Sequence, residues 1–212
     1  MSTRRYAGVS AADRAAERRA RLLAAGLELI GTKGLSGTTV RGVAAESGLA
    51  ARYFYESFAT IDDLHLAVFD EIEREAQERA LGALAKTAGG GEREQVHAVL
   101  SEMVDLMLSD PRKGRVALLE TVNSPVLGPK AIAASQHFAA LLAATSASGD
   151  PLSPTDGLPV EVRVIAQFLI GGVGHTLGAV LLQDLPIERE ALVDVLADLF
   201  LAVVPSIGPL RA

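Results

Sequence analysis

The segment Thr38–Phe58 reads TTVRGVAAESGLAARYFYESF and contains two short helical patterns separated by a glycine. The first pattern is an apolar stripe at helical spacing, formed by Val40, Val43 and Ala44. Gly48 follows it, at a position where a tight turn between two helices needs a positive φ. The second pattern covers about 50–57, with Phe54 and Phe58 on its inner side. The segment therefore predicts two short helices joined by a sharp turn, with two aromatic rings holding the second helix from behind.

Helices are also predicted on both sides of this segment. Ser10 and Asp13 have the spacing of a capping box for a helix that runs to about Lys33, and Gly34 supplies its C-cap. Thr60–Asp63 is a second capping box and opens a long helix. The order of these helices is that of a helix-turn-helix, in which the last short helix projects into a major groove of DNA.

The exposed side of the third helix, the start of the second and the N-terminal arm carry the groups suited to contact DNA. They combine small side chains, guanidinium groups and hydroxyls. The predicted contact residues are Arg4, Arg5, Thr38, Thr39, Arg41, Ala50, Ala51, Arg52, Tyr53, Tyr55 and Ser57.

Several of these contacts have a second interpretation. Arg52 has the donors to recognise a guanine, but it could equally hold a phosphate or pair with Glu56 four residues on. Arg41 is either a phosphate contact or a solvated charge. Arg4 and Arg5 either enter the minor groove or stay unstructured.

The same segment resembles the tetracycline-repressor (TetR) family of transcription regulators. The positions that match the family pattern are Thr39, Val43, Ala44, Gly48, Leu49, Tyr55, Phe58 and Leu64. The likeness covers about the first third of the chain. It implies that Tyr55 donates its hydroxyl to a phosphate, the alternative being a packing aromatic with a wet tip.

Two positions depart from the family pattern. Ala50 stands where the family often has a serine that caps the recognition helix, and Ile61 stands where it often has a lysine. These departures put the details of contact and the affinity in doubt, but not the fold.

Charge is unevenly distributed along the 212 residues, whose net charge is -6. Residues 1–60 carry a net charge of +4 and residues 61–212 a net charge of -10. A basic N-terminal part on an acidic body suggests that only this part meets phosphate, chance clustering being the alternative. The absence of cysteine excludes disulfides and thiolate metal sites, and with no visible signal peptide it predicts a cytoplasmic protein.

The rest of the chain predicts an all-α fold. We expect a helix-turn-helix DNA-binding domain over 10–64 and a helical effector-binding and dimerisation domain over 65–212. The segment 160–182 is apolar on nearly every face and could be mistaken for a membrane span. Its polar residues, and the lack of a basic anchor cluster, favour a helix buried partly against a dimer partner and no membrane contact.

With a final helix over 187–204, this helix would form a four-helix dimer interface, as the family resemblance implies. The predicted interface residues are Ile165, Leu169, Gly172, Thr176, Leu196, Leu199 and Phe200.

The second domain is also expected to hold an apolar cavity, since 49% of the residues are hydrophobic and the mean hydropathy is +0.28. The candidate lining residues, each of which could be plain core, are Met103, Met107, Leu119, Asn123, Phe138, Phe168 and His175. Their few polar groups favour a mostly apolar effector over an anion. The four histidines have no metal-ligand spacing, no nucleophile–base order is evident and no cofactor motif is present. The sequence therefore predicts no metal, no cofactor and no catalysis.

Two functions fit these observations. The first is a dimeric regulator, most simply a repressor, that binds a palindromic DNA operator and is released by a small effector. The second is a helical small-molecule-binding protein or enzyme that has lost specific DNA binding, which the departures at Ala50 and Ile61 would favour.

Overall fold

The computed structural model describes residues 10–155 and 157–203, and every regular element among them is helical. The predicted all-α fold is thus confirmed. The chain divides into two compact units, one ending at Val68 and one beginning at Phe69. The domain ranges 10–64 and 65–212 stay predictions.

The N-terminal unit contains three helices and the start of a fourth: α1 (Ala11–Lys33), α2 (Val40–Ser47), α3 (Ala51–Ser57) and α4 (Ile61–Lys86). Both predicted capping boxes are formed. The Ser10 hydroxyl accepts from the amide of Asp13 at 3.0 Å while the Asp13 carboxylate accepts from the Ser10 amide at 3.1 Å. Thr60 and Asp63 repeat this exchange at 3.1 and 2.8 Å, so that α4 begins where the sequence predicts.

The core of this unit is small and tightly closed. Leu22 and Ile30 of α1, Phe54 of α3 and Leu64 of α4 are all fully buried. Deleting one large side chain from such a core costs several kcal/mol, because a cavity remains where the side chain was. The orientation of α3 therefore depends on Phe54 in particular.

The C-terminal unit holds the rest of α4 and the remaining helices. These are α5 (Glu92–Leu108), α6 (Pro111–Gly114), which continues into a π-helical turn (Arg115–Leu119), α7 (Leu127–Ser148), α8 (Val160–Leu181) and α9 (Arg189–Val203). The principal packing is of α7 against α8 and of α5 against α9. Of the predicted final helix over 187–204, residue 204 lies outside the described residues.

Ion pairs attach α4 to the other helices of this unit. Lys113 donates to Glu75 at 2.6 Å, and Lys130 of α7 donates to Asp70 at 2.8 Å. Partial burial alone would raise the pKa of Glu75, but hydrogen bonds from Lys113 and Arg79 outweigh it and lower that pKa. Glu75 is therefore held ionised at neutral pH between α6 and its own helix.

Helix α8 is long and apolar enough to cross a membrane by length and composition alone, with a mean hydropathy of 1.7 over its most apolar window. Only 28% of that window is buried within the chain. Val162, Ala166 and Leu169 pack inward, Val162 and Ala166 against alanines of α7, while Val164 and Phe168 point outward. Exposed apolar residues of this kind indicate a surface that contacts another molecule.

Candidate DNA-binding surface and effector cavity

The turn between α2 and α3 has the conformation that the sequence predicts. Gly48 adopts φ 66° and ψ 26°, in the left-handed region that glycine enters without a steric penalty. Its amide donates to the carbonyl of Ala45 at 3.2 Å, and the amide of Leu49 donates to that of Ala44 at 3.0 Å. These two bonds satisfy carbonyls at the end of α2 and fix the direction in which α3 leaves.

Helix α3 has a buried and an exposed side. Phe54 is fully buried and Phe58 nearly so, with ring centroids 5.6 Å apart. On the opposite side Tyr55 is 62% exposed, and Arg52 and Ala51 are exposed as well. The two phenylalanines thus hold one side of the helix so that the other side is free to meet a ligand as broad as duplex DNA.

Three arginines of α1, which sequence reasoning did not single out, hold α3 and the preceding turn. Arg21 donates to the carbonyl of Ser47 at 2.6 Å, at the C-terminal end of α2. Arg18 pairs with Glu56 at 3.4 Å, and Arg19 lies 4.9 Å from the centroid of the Phe58 ring. The available signal was a basic run, ERRARL over 17–22, immediately before the buried stripe of α1.

Arg52 makes an intrahelical contact that differs from the predicted alternative. It donates to the Tyr53 hydroxyl at 2.8 Å, and its guanidinium carbon lies 4.7 Å from the centroid of the Tyr53 ring. This hydrogen bond raises the pKa of Arg52, so the side chain remains a cation. Glu56, the alternative partner of Arg52, is the residue that pairs with Arg18.

The other predicted DNA contacts fall into different settings. Thr38 is buried, and its hydroxyl donates to the carbonyl of Gly34 at 2.9 Å, which leaves it little surface for DNA. Thr39 is exposed and caps α2 by accepting from the amide of Gly42, and Arg41 is exposed two residues later. Ala50 is the N-cap of α3 and provides no side-chain cap, as its chemistry requires.

Three predicted contact residues remain. Ser57 is half-buried at the last position of α3. Arg4 and Arg5 lie outside the described residues. The part of the predicted set with the most accessible surface is therefore its exposed members, Thr39, Arg41, Ala50, Ala51, Arg52 and Tyr55.

The C-terminal unit contains a cavity of about 460 Å³ between α4, α5, α7, α8 and α9. This volume is typical of sites for small organic ligands. Its floor is formed by side chains with at most 5% exposure, Ala80, Leu100 and Phe200. The cavity is therefore a pre-formed, mostly apolar site that is partly open to solvent.

Two of the seven predicted effector contacts, Met103 and Phe138, line this cavity. The other five do not. Met107 is buried one turn beyond Met103 and Leu119 packs against α8, whereas Asn123, Phe168 and His175 are exposed at the surface. Periodicity identified α5, α7 and α8 as helices, but it could not say which part of each encloses the cavity. It also could not show that Leu119 and Asn123, in the segment between α6 and α7, lie away from the cavity.

The polar groups of the cavity were not found from the sequence. Glu92, Gln95 and Thr145 are the ionisable and polar side chains among its described lining residues. They stand close to helix ends, Glu92 as the first residue of α5 and Thr145 in the last turns of α7. Before the fold is known, such residues look like ordinary helix-terminal and solvent-facing positions.

Most of the predicted dimer-interface residues are buried or half-buried within the unit, and the interface itself stays a prediction. Leu169, Leu196 and Phe200 are at most 6% exposed inside the unit, and Ile165 and Thr176 are half-buried. Only Gly172 and Leu199 of the predicted set are exposed. Because a buried side chain has little area left for a partner, the exposed apolar residues of α8 and α9 are better candidates: Val164, Phe168, Val195 and Leu199.

Comparison with known families agrees with the local geometry. Residues 22–68 match the model of the bacterial regulatory proteins, tetR family. The matched segment contains α2, the Gly48 turn and α3, and it ends at the same residue as the N-terminal unit. The predicted resemblance to that family is confirmed for this segment.

Solved structures with the same fold extend over both units. The transcriptional regulator FadR from Bacillus subtilis, in complex with stearoyl-CoA, is 21% identical with a TM-score of 0.68, covering 85% of this chain and 96% of its own. A putative TetR-family regulator from Rhodococcus sp. is 18% identical with a TM-score of 0.68, covering 89% and 99%. The fatty acid degradation regulator FadR from Bacillus halodurans is 15% identical with a TM-score of 0.66, covering 92% and 96%. At these identities the likeness establishes the fold.

Proposed function

We propose that this chain, whose residues 22–68 match the tetR family of bacterial regulatory proteins, is a cytoplasmic, dimeric repressor that binds a palindromic operator. A small, mostly apolar effector releases it from the DNA. The observation that carries the proposal is the exposed side of α3, which presents Arg52 and Tyr55 while Phe54 and Phe58 anchor the helix from within.

A dimer is part of the proposal because one short helix reads only a few base pairs. Two copies related by a two-fold axis place two such helices in successive major grooves, about 34 Å apart. The exposed apolar residues of α8 and α9, with Phe168 at 75% and Leu199 at 53% exposure, supply a surface for the second copy. A monomeric mass by light scattering at micromolar concentration would contradict this part.

Release of the protein from DNA follows if the effector binds two conformations of the dimer with different affinities. An effector that fits the cavity of one dimer conformation better than another shifts the population towards the first. If the favoured conformation holds the two recognition helices at a spacing that no longer matches successive grooves, affinity for the operator falls. The cavity of about 460 Å³ and its apolar floor support an effector of this kind.

The first test is fluorescence anisotropy with duplex DNA from upstream of the chain's own gene, titrated against competitor DNA of unrelated sequence. We expect specific binding whose affinity falls steeply with salt. Folded protein that shows the same weak affinity for every duplex would refute the proposal. A folded dimer that binds small molecules in the cavity but no DNA would support the alternative, a helical small-molecule-binding protein.

Arg52→Ala sharpens this test. If Arg52 reads a base, the substitution should weaken specific binding by about 1–3 kcal/mol and lower the ratio of specific to non-specific affinity. If it holds a phosphate, all sequences should lose affinity and the salt dependence should become shallower. Arg74→Ala removes the same charge from an exposed part of α4 and serves as the matched control. Unchanged affinity and ratio for Arg52→Ala would exclude both roles.

A further inference from the structure

We infer that the cavity of the C-terminal unit takes an amphiphile with a cationic head group, seated beside Glu92, and discriminates against anionic head groups. The inference rests on the proposed function only in taking the cavity as the effector site. It begins from the shape of the cavity. Ala80, Leu100 and Phe200 form a floor that is almost completely buried, whereas Glu92 and Gly149 are exposed lining residues and mark the rim.

The length of the cavity along α5 suits an elongated molecule. Helix α5 lines the cavity from Glu92 to Met103. At 1.5 Å of rise per residue this stretch is about 16 Å long. A ligand that follows it would bury an apolar body against α4, α5 and α7 and leave its head at the rim.

The rim presents acceptors. Glu92 is the single ionisable side chain among the described residues that line the cavity. Gln95 directs its side-chain amide to the carbonyl of Thr87 at 3.3 Å, and Thr145 directs its hydroxyl to the carbonyl of Leu141 at 2.8 Å. The Thr145 hydroxyl proton and one N–H of Gln95 are thus used on the backbone, so the rim offers a ligand the oxygens of all three side chains and the second N–H of Gln95.

The charges of nearby helix ends and of the neighbouring Arg93 do not make the rim positive. The C-terminal end of α7, at Gly149, adds a partial negative charge to the rim. The positive end of α5 lies beside Glu92, but Glu92 and Glu94 in its first turn already compensate that partial charge. The neighbouring Arg93 pairs with Asp198 at 2.6 Å. Two carboxylates face the partial positive charge of one helix end, so the rim keeps a net negative charge that repels a carboxylate or phosphate head group and attracts a cation.

The test uses three probes with the same twelve-carbon alkyl chain: dodecyltrimethylammonium, 1-dodecanol and tridecanoate. Their dissociation constants are measured by calorimetry below the concentrations at which they form micelles, with the full chain and without DNA. We expect the cation to bind best, the alcohol next and the anion worst. The cation should bind at least about fivefold more tightly than the anion, since an exposed charge pair contributes modestly.

Two variants assign the preference to Glu92. Glu92→Gln should weaken binding of the cation about two- to fivefold and strengthen binding of the anion. Glu94→Gln removes the same charge from the same turn of α5 at a residue outside the cavity lining, and should leave both constants unchanged. Equal effects of the two variants would mean that the preference arises from overall charge and would overturn the assignment.

Tridecanoate binding as tightly as dodecyltrimethylammonium, or failure of all three probes to bind, would overturn the inference itself. Operator binding is measured separately. If specific operator binding is found while the anion binds the cavity more tightly than the cation, only the inference fails. If the order holds while no specific DNA binding is found, only the proposed regulator function fails.

Discussion

The two units of this protein differ in how directly their sequence expresses their structure. In the N-terminal unit the positions that matter demand particular residues, such as the positive φ of Gly48 and the capping exchange between Thr60 and Asp63. In the C-terminal unit long apolar helices pack against one another, and many residues would serve equally well on any face. Local backbone rules therefore define the first unit, and tertiary packing defines the second.

The largest expected effect is on stability, and it appears when one phenylalanine of each unit is replaced by alanine. Phe54→Ala removes a fully buried ring and should lower the free energy of unfolding of the N-terminal unit by about 3–5 kcal/mol. Phe168→Ala removes a ring that is 75% exposed and should leave the unfolding of the N-terminal unit unchanged. Tyrosine fluorescence separates the units, because the chain has no tryptophan and its three tyrosines all lie within residues 1–68.

In urea titrations followed by that fluorescence, Phe54→Ala should shift the midpoint strongly and Phe168→Ala should not. A loss below about 1 kcal/mol for Phe54→Ala would mean that the inner side of α3 is not a tightly packed core. The account of how α3 is held outward would then fail.

A smaller effect compares two glycines. Gly48→Ala places a Cβ on a left-handed residue, where it would also lie 3.2 Å from Nη2 of Arg21, and should destabilise the N-terminal unit by about 1–2 kcal/mol. Gly82→Ala adds a Cβ to the interior of α4 with open space around it, and should stabilise the C-terminal unit by about 0.5–1 kcal/mol. Circular dichroism follows both units and tyrosine fluorescence follows the first. If both substitutions changed the free energy of unfolding in the same direction, the left-handed conformation of Gly48 would not be what requires a glycine in this turn.

The N-terminal unit was largely predictable because its signals are short-range. The capping boxes, the Gly48 turn and the inner placement of Phe54 and Phe58 each depend on residues a few positions apart. The clamp of α1 on α3 was not predicted. The partners Arg18 and Glu56 are 38 residues apart, and nothing in the sequence connects them.

In the C-terminal unit the sequence predicted the helices, but it did not predict which side of each helix is buried and which is exposed. Helix α8 is apolar on most faces, so its sequence could not distinguish the inward Leu169 from the outward Phe168 one residue earlier. One residue on a helix is a rotation of about 100°, which exchanges a core position for a surface position. The sequence also could not show where along α5 the cavity ends, since Met103 lines it while Met107, one turn further on the same side of the helix, does not.

The smallest expected effect is on two arginine substitutions, one in each unit. They test whether an arginine with more partners contributes more to stability than one with a single, less solvated partner. Arg74 of α4 has two carboxylate partners, Glu71 and Glu78, but is 52% exposed. Water solvates all three groups when these ion pairs are broken, so Arg74→Ala should leave the urea midpoint nearly unchanged. Arg21 has one neutral partner, the carbonyl of Ser47 at 2.6 Å, in a half-buried setting at the end of α2. Removing a charged donor from a helix-terminal carbonyl should cost about 1 kcal/mol, and it should also weaken DNA binding by loosening the turn before α3. Urea titrations of both variants, with anisotropy on the same duplex, check the order. A larger loss for Arg74→Ala would show that exposed ion pairs stabilise this fold more than the hydrogen bond that fixes its turn.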